Sequence, residues 1–168
     1  QISHAGRQAP WYVTRRPKGP SAVKLRLFGN YCTPRALTEE EILFIQARDS
    51  FYMATVTETS WPYLQHRGGA PGFLRVLSPT QLAFADYKGN RQMLSTGNLA
   101  ANDRVALLLM DYPRRARLKI LGHARIEDAR EHPDLVAQLA DPVTRSVVER
   151  LFLIEVVSYD WNCPKYIT

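Results

Sequence analysis

The run Gln65-His66-Arg67-Gly68-Gly69 places a guanidinium directly before two glycines. In an extended strand Tyr63, Gln65 and Arg67 share one face, and Leu64 and His66 the other. A face ending in an amide and a guanidinium, followed by two glycines, lets backbone approach a ligand closely. A second cationic group follows in "ADYKGNRQMLSTGNL", residues 85–99. There an apolar run ends at Asp86, turns through Gly89 and is expected to open a helix near 90–92. Free amides and the positive end of the dipole at such a helix start suit a phosphate. Arg91 adds a two-pronged donor, Lys88 a point charge, and Asn90 and Gln92 add amides. Taken singly, both stretches also fit plainer readings, a glycine bulge on an exposed strand and a solvated first turn.

Two further groups carry polar or aromatic residues near strand ends. In Arg114-Arg115-Ala116-Arg117-Leu118-Lys119-Ile120 the first two arginines are expected in a turn after Pro113. Arg117 and Lys119 then share a strand face opposite Leu118 and Ile120. In Tyr159-Asp160-Trp161-Asn162-Cys163 an aromatic ring and an amide follow the last apolar run. They can stack on a flat ligand, or the indole can plug the end of a barrel. His4, His66, His123 and His132 stand at no metal-ligand spacing, and no Ser/His/Asp set assembles. Cys32 and Cys163 form no CxxC pair, which argues against a disulfide scaffold or structural zinc and for a reduced, cytoplasmic compartment.

The elements that must position these residues can be read from the pattern. The chain has 168 residues, 45% hydrophobic and 23% charged, enough for one domain with its own core. No apolar run is long enough for a membrane-spanning helix. The formal charge of +6 suits an anionic partner, but Arg7, Arg15, Arg16, Lys18, Lys24 and Arg26 hold part of the excess in an acid-free stretch. Residues 1–36, rich in Pro, Gly, Arg and Lys, are expected to form an irregular arm, with Trp11, Tyr12 and Val13 as anchors for a partner subunit.

Thr38 and Glu41 predict a capping box, and Leu37 and Ile42 a hydrophobic staple, for a helix running to about Ala47. Alternation over 51–58 and 61–67 predicts a hairpin, and 73–77 with 81–86 a second. A helix is expected over 90–102, strands over 104–111 and 117–126, helical segments over 130–140 and 143–148, and a final strand over 151–159. Some seven short strands joined by tight links require antiparallel sheet and favour a barrel or sandwich. There is no βαβ alternation, no GxGxxG after a strand and no P-loop, which excludes Rossmann and P-loop folds.

With these residues placed, the sequence from about Leu37 to Tyr166 resembles the pyridoxamine 5'-phosphate oxidase-like, FMN-binding split-barrel family. The resemblance rests on "QHRGG", "GFLRVL", "LAFADYKGNRQ", "STGNLAAND", "LLLMDYPRRARLKILGHARI" and "DWNCPKYI", in that order. It implies a mainly β fold with short helices, an antiparallel split β-barrel over residues 37–168. It also implies a homodimer with FMN at the subunit interface. On that resemblance Arg67 faces the flavin's phosphate tail, with Gly68 beside it. Asn90, Arg91 and Gln92 hold the phosphate, Gln92 standing where a lysine is common, and Lys88 is available to compensate. Asp86 contacts the ring through its backbone, Arg117 reaches the ring's edge, and Trp161 covers it from the partner.

Where the oxidase has a substrate-gripping lysine after the strand arginine, this chain has Gly72. Where the oxidase has an Arg-Leu-His run after the late tryptophan, it has Cys163-Pro164-Lys165-Tyr166-Ile167-Thr168. The expectation is therefore an FMN-dependent oxidoreductase of another small molecule, or else a non-catalytic, stress-related flavin-binding module. A deazaflavin or haem in place of FMN stays open. A nucleic-acid partner is disfavoured, because no helix-turn-helix pattern and few exposed strand aromatics are present.

Overall fold

The computed structural model describes residues 35–89, 93–161 and 165–167. In chain order the elements are α1 (Glu39–Gln46), β1 (Ser50–Val56), β2 (Pro62–Gly68), β3 (Arg75–Ser78), β4 (Gln81–Tyr87), α2 (Leu94–Ala101), β5 (Arg104–Asp111), β6 (Ala116–Asp128), α3 (Pro133–Leu139) and β7 (Val148–Trp161). Single 3-10 turns occupy Ala129–Glu131 and Arg145–Val147. The strands form one antiparallel sheet in the order β2-β1-β5-β6-β7-β4-β3. Among the described residues no helix is long and apolar enough to cross a membrane.

Sequence alternation explains which face each strand buries. On β1 and β5, Phe51, Met53, Val105, Leu107 and Leu109 point into the core, while Tyr52, Ala54, Leu108 and Met110 stay half-buried on the other side. The continuous apolar runs in β4 and β7 have a different cause. Phe84, Phe152 and Ile154 join the main core, whereas Ala83, Ala85, Leu151 and Leu153 pack under Val136 and Leu139 of α3. Those two strands are covered on both faces, and such strands do not alternate.

The sheet curls until its two ends meet through side chains. Phe51 of β1 packs edge-on against Phe84 of β4 with centroids 5.5 Å apart, and Phe84 stacks on Phe152 at 4.7 Å. Phe73, from the link before β3, stacks on Phe51 at 5.5 Å. No ladder joins β2 to β3 or β4, so the closure is aromatic packing rather than backbone bonding. That is the split of a split barrel.

α2 departs from expectation. It begins at Leu94 with Met93 at its N-cap, not near 90–92. Its buried face is Ser95, Asn98 and Leu99, one turn's spacing, and the helix is about as long as that face. Ser95 donates to Gln65 of β2 at 2.8 Å and Asn98 to Thr55 of β1 at 2.8 Å, which ties the helix across the first hairpin. The segment read as helical over 143–148 contains only the turn Arg145–Val147. At the other end Thr38 caps α1 with its capping box present. Glu41 there accepts the Thr38 amide at 2.9 Å and hydroxyl at 2.6 Å. Most of the expected N-terminal arm lies outside the described residues; Arg35, near its end, donates its amide to Val157 and sets its guanidinium 4.3 Å from the Tyr159 ring centre.

Candidate functional site

Three charged side chains meet at one end of the core face. Arg67 is registered against Phe51, Asp86 follows Phe84 by two, and Arg150 precedes Phe152 by two, so all three point inward. Asp86 and Arg150 are direct cross-strand partners on β4 and β7. Arg67 comes from the far edge of the curled sheet. Its Nη1 donates to Asp86 Oδ1 at 2.9 Å. Arg150 donates to the other oxygen, Oδ2, from Nε at 2.9 Å and Nη2 at 2.8 Å. One carboxylate therefore holds two guanidiniums in a partly buried setting, where charged hydrogen bonds are strong.

The Arg67 group lies over the rings of Phe152 and Phe84, 5.1 and 5.7 Å from their centres. Its Nε is buried and has no hydrogen-bond partner among the described residues. Beside it opens a cavity of about 260 Å³ lined by His66, Arg67, Gly68, Phe73, Phe84, Ala85, Asp86 and Tyr87. A buried donor left open costs stability unless something accepts from it, and here it belongs to a residue that lines the cavity. A larger hollow of about 500 Å³ lies over Tyr52, Leu108 and Met110 on the outer face. Its charged wall is already paired, Arg48 to Asp111 at 2.8 Å and Arg114 to Asp111 at 3.2 Å. The smaller cavity is lined by a residue with a buried donor that has no partner among the described residues.

The expected site residues divide into groups. Arg67, Gly68 and Asp86 line the one cavity. Lys88 follows it, exposed, with its amide bonded to the Val147 carbonyl at 2.8 Å. Asn90, Arg91 and Gln92 lie outside the described residues. α2 itself begins at Leu94.

Arg117 is registered against Met110, on the opposite face of the sheet from Arg67, and its Nε too is buried without a partner among the described residues. Trp161 sits against α1, its ring edge-on to Phe44 at 4.8 Å and its Nε1 donating to Glu41 Oε1 at 2.6 Å. Within one protomer, then, Arg117 and Trp161 do not join Arg67.

Sequence reading passed over Arg150 and the second role of Glu41. Arg150 stands just before the apolar run 151–154, as Asp86 stands just after 82–85. Opposite charges bounding two buried runs are the only available signal, and it speaks only once the strands are known to be neighbours. Glu41 is buried, which raises its carboxyl pKa, but hydrogen bonds from Thr38 and Trp161 outweigh burial and hold it below its ordinary value.

An antiparallel split barrel with a paired-arginine site at the open end of its core is the class these features define. The sequence model of the pyridoxamine 5'-phosphate oxidase family matches residues 37–153, and the chain belongs to that family. Among curated proteins none matches by sequence. Solved structures share the fold at low identity. A candidate pyridoxamine 5'-phosphate oxidase from Lactobacillus delbrueckii superposes with TM-score 0.58 at 18% identity, over 74% of this chain and 93% of that one. General Stress Protein 26 from Bacillus anthracis gives 0.53 at 18%, over 73% and 91%. Rv2991 from Mycobacterium tuberculosis gives 0.57 at 15%, over 79% and 91%.

Proposed function

We propose that the protein is an FMN-binding oxidoreductase acting on a small molecule other than pyridoxamine phosphate. The observation that carries this reading is the buried Nε of Arg67, without a partner among the described residues, on a side chain that lines the Gly68–Asp86 cavity. Arg67 would hold the cofactor's phosphate, with Lys88, Asn90, Arg91 and Gln92 contributing. Gly68 keeps the wall beside Arg67 free of a side chain, and Phe73 and Phe84 give it an apolar floor. Bound FMN would supply hydride and single-electron chemistry that no side chain here possesses.

The dimer is part of the proposal. Trp61 and Leu64 are 72% and 63% exposed, and Tyr52, Ala54, Leu108 and Met110 are half-buried around Arg117 on the outer face. Such a surface is suited to a second copy. Arg117 and Trp161 would then serve the partner's cofactor rather than their own. Pyridoxamine phosphate is disfavoured as substrate because Gly72 has φ +78° and a Cβ there would lie 3.1 Å from the Gln46 carbonyl. A lysine at that position would be strained.

The test is direct. Protein reconstituted with FMN should retain flavin absorbance through gel filtration and elute as a dimer. Arg67→Ala should weaken FMN binding by about 1–3 kcal/mol, the loss of a charge-assisted contact. Arg125→Ala, at a side chain 59% exposed and paired to Glu127, should not. Reduction of the bound flavin by NADH or NADPH separates an oxidoreductase from a passive carrier. A colourless protein that quenches no FMN fluorescence would refute the reading.

A further inference from the structure

We infer that Arg150 is a positioning residue for the anion site: it compensates Asp86, so that Asp86 orients Arg67 without neutralising it. The inference rests on the reading of the Arg67 cavity as a phosphate site, and its test keeps the two separable.

The geometry is specific. Arg150 spends two donors, Nε and Nη2, on the same oxygen of Asp86. That leaves Oδ1 for Arg67, which donates to it from Nη1 while its Nε has no partner among the described residues. A carboxylate alone with a guanidinium favours the two-pronged pairing in which both oxygens are used. Arg150 removes one oxygen from that competition. It also corrects the charge. Arg67 with Asp86 alone is neutral, so an anion entering the cavity would meet no net positive charge. With Arg150 the three side chains carry one net positive charge. Glu149 lies farther from Arg150, at 3.5 Å, and is more exposed, so it screens the triad less.

The sheet delivers this arrangement without adjustment. Asp86 and Arg150 are register partners, so their side chains leave neighbouring strands on one face. Arg150 also donates from Nη1 to Met93 Sδ at 3.4 Å, at the residue that caps α2. Removing Arg150 should leave Asp86 free to rotate both oxygens onto Arg67 and close the site against anions.

The experiment is a double-mutant cycle on the full chain, read by FMN fluorescence quenching and by calorimetry with inorganic phosphate. Arg150→Gln should weaken both ligands about tenfold or more, the scale of one lost charged contact. Adding Asp86→Asn to Arg150→Gln should restore most of that loss, because the competing carboxylate is gone. Arg150→Lys, which keeps the charge, should stay closer to wild type than Arg150→Gln. Unchanged affinity in Arg150→Gln would overturn the inference. So would a double variant as weak as Arg150→Gln, since a merely structural role gives no rescue.

Should Arg150→Gln fail to fold, the comparison of wild type, Arg150→Lys and the double variant decides, a double variant weaker than Arg150→Lys by tenfold or so counting against the inference. Wild type that binds inorganic phosphate but not FMN would refute the flavin reading while leaving the cycle readable with phosphate. Wild type that binds neither would refute both.

Discussion

At the scale of single residues, the two buried carboxylates outside the cavity decide how the protein responds to acid. Glu41 accepts from Thr38 and from Trp161, 120 residues away. Asp111 accepts the Arg114 amide at 3.1 Å and pairs with Arg48 at 2.8 Å. Burial raises the pKa of each, but their partners outweigh it and both end below their ordinary values of 4.5 and 3.8. A carboxyl depressed in the fold binds its proton more weakly there than in the unfolded chain. The stability it contributes is present above the ordinary value and is lost as pH falls through the folded one. The urea midpoint should therefore fall as pH drops below about 4.5, the ordinary value for Glu41. Glu41→Gln should lower stability at neutral pH by about 1–3 kcal/mol and flatten part of that acid slope. An unchanged slope in Glu41→Gln would show that the Trp161 contact does not form in solution.

At the scale of elements, close approaches of strands and helices set the tolerances. β6 and β7 shift register between Leu121 and Gly122. A Cβ at Gly122 would lie 2.5 Å from the Glu155 carbonyl and 2.9 Å from Ile154 Cγ2. Gly122→Ala must push two central strands apart, and a cost of about 1–3 kcal/mol is expected by thermal or urea unfolding. α2 illustrates how far an element can be read from local pattern. The stretch "STGNLAAND" announces a helix, and the buried Asn98 and Leu99 fall at helical spacing. Its start was set elsewhere, by where β1 and β2 offer Thr55 and Gln65 as partners.

At the scale of the whole molecule, the closure of the sheet is the feature on which the site depends. Arg67 and Asp86 belong to strands that share no ladder, and they meet only because Phe51, Phe73, Phe84 and Phe152 pull the two ends together. Phe84→Ala should cost about 3–5 kcal/mol as a large-to-small core change. It should also reduce FMN affinity more than a core change remote from the split, such as Leu107→Ala, at matched loss of stability. Equal effects of the two on FMN binding would mean that Arg67 is held by its own strand rather than by the closure. The apolar outer face makes the companion prediction: with the proposed dimer formed through it, Leu64→Lys should shift gel-filtration elution toward monomer, and FMN retention should fall with it.

Strand alternation, the capping box and the hairpin spacings were local properties, so pattern sufficed to read an antiparallel barrel or sandwich, and the order of short motifs carried the resemblance that implied the split barrel and the family. Arg67 and Gly68 could be singled out because they lie at a strand end beside a break, a one-dimensional signal, whereas the role expected for Asp86 came from the family resemblance. That Asp86 is shared between Arg67 and Arg150, that Trp161 serves Glu41, and that Arg117 faces away from Arg67 depend on which strands become neighbours and how the sheet curls. Those are long-range pairings, decided by burying the aromatic rings of distant segments together, and no spacing along the chain encodes them singly.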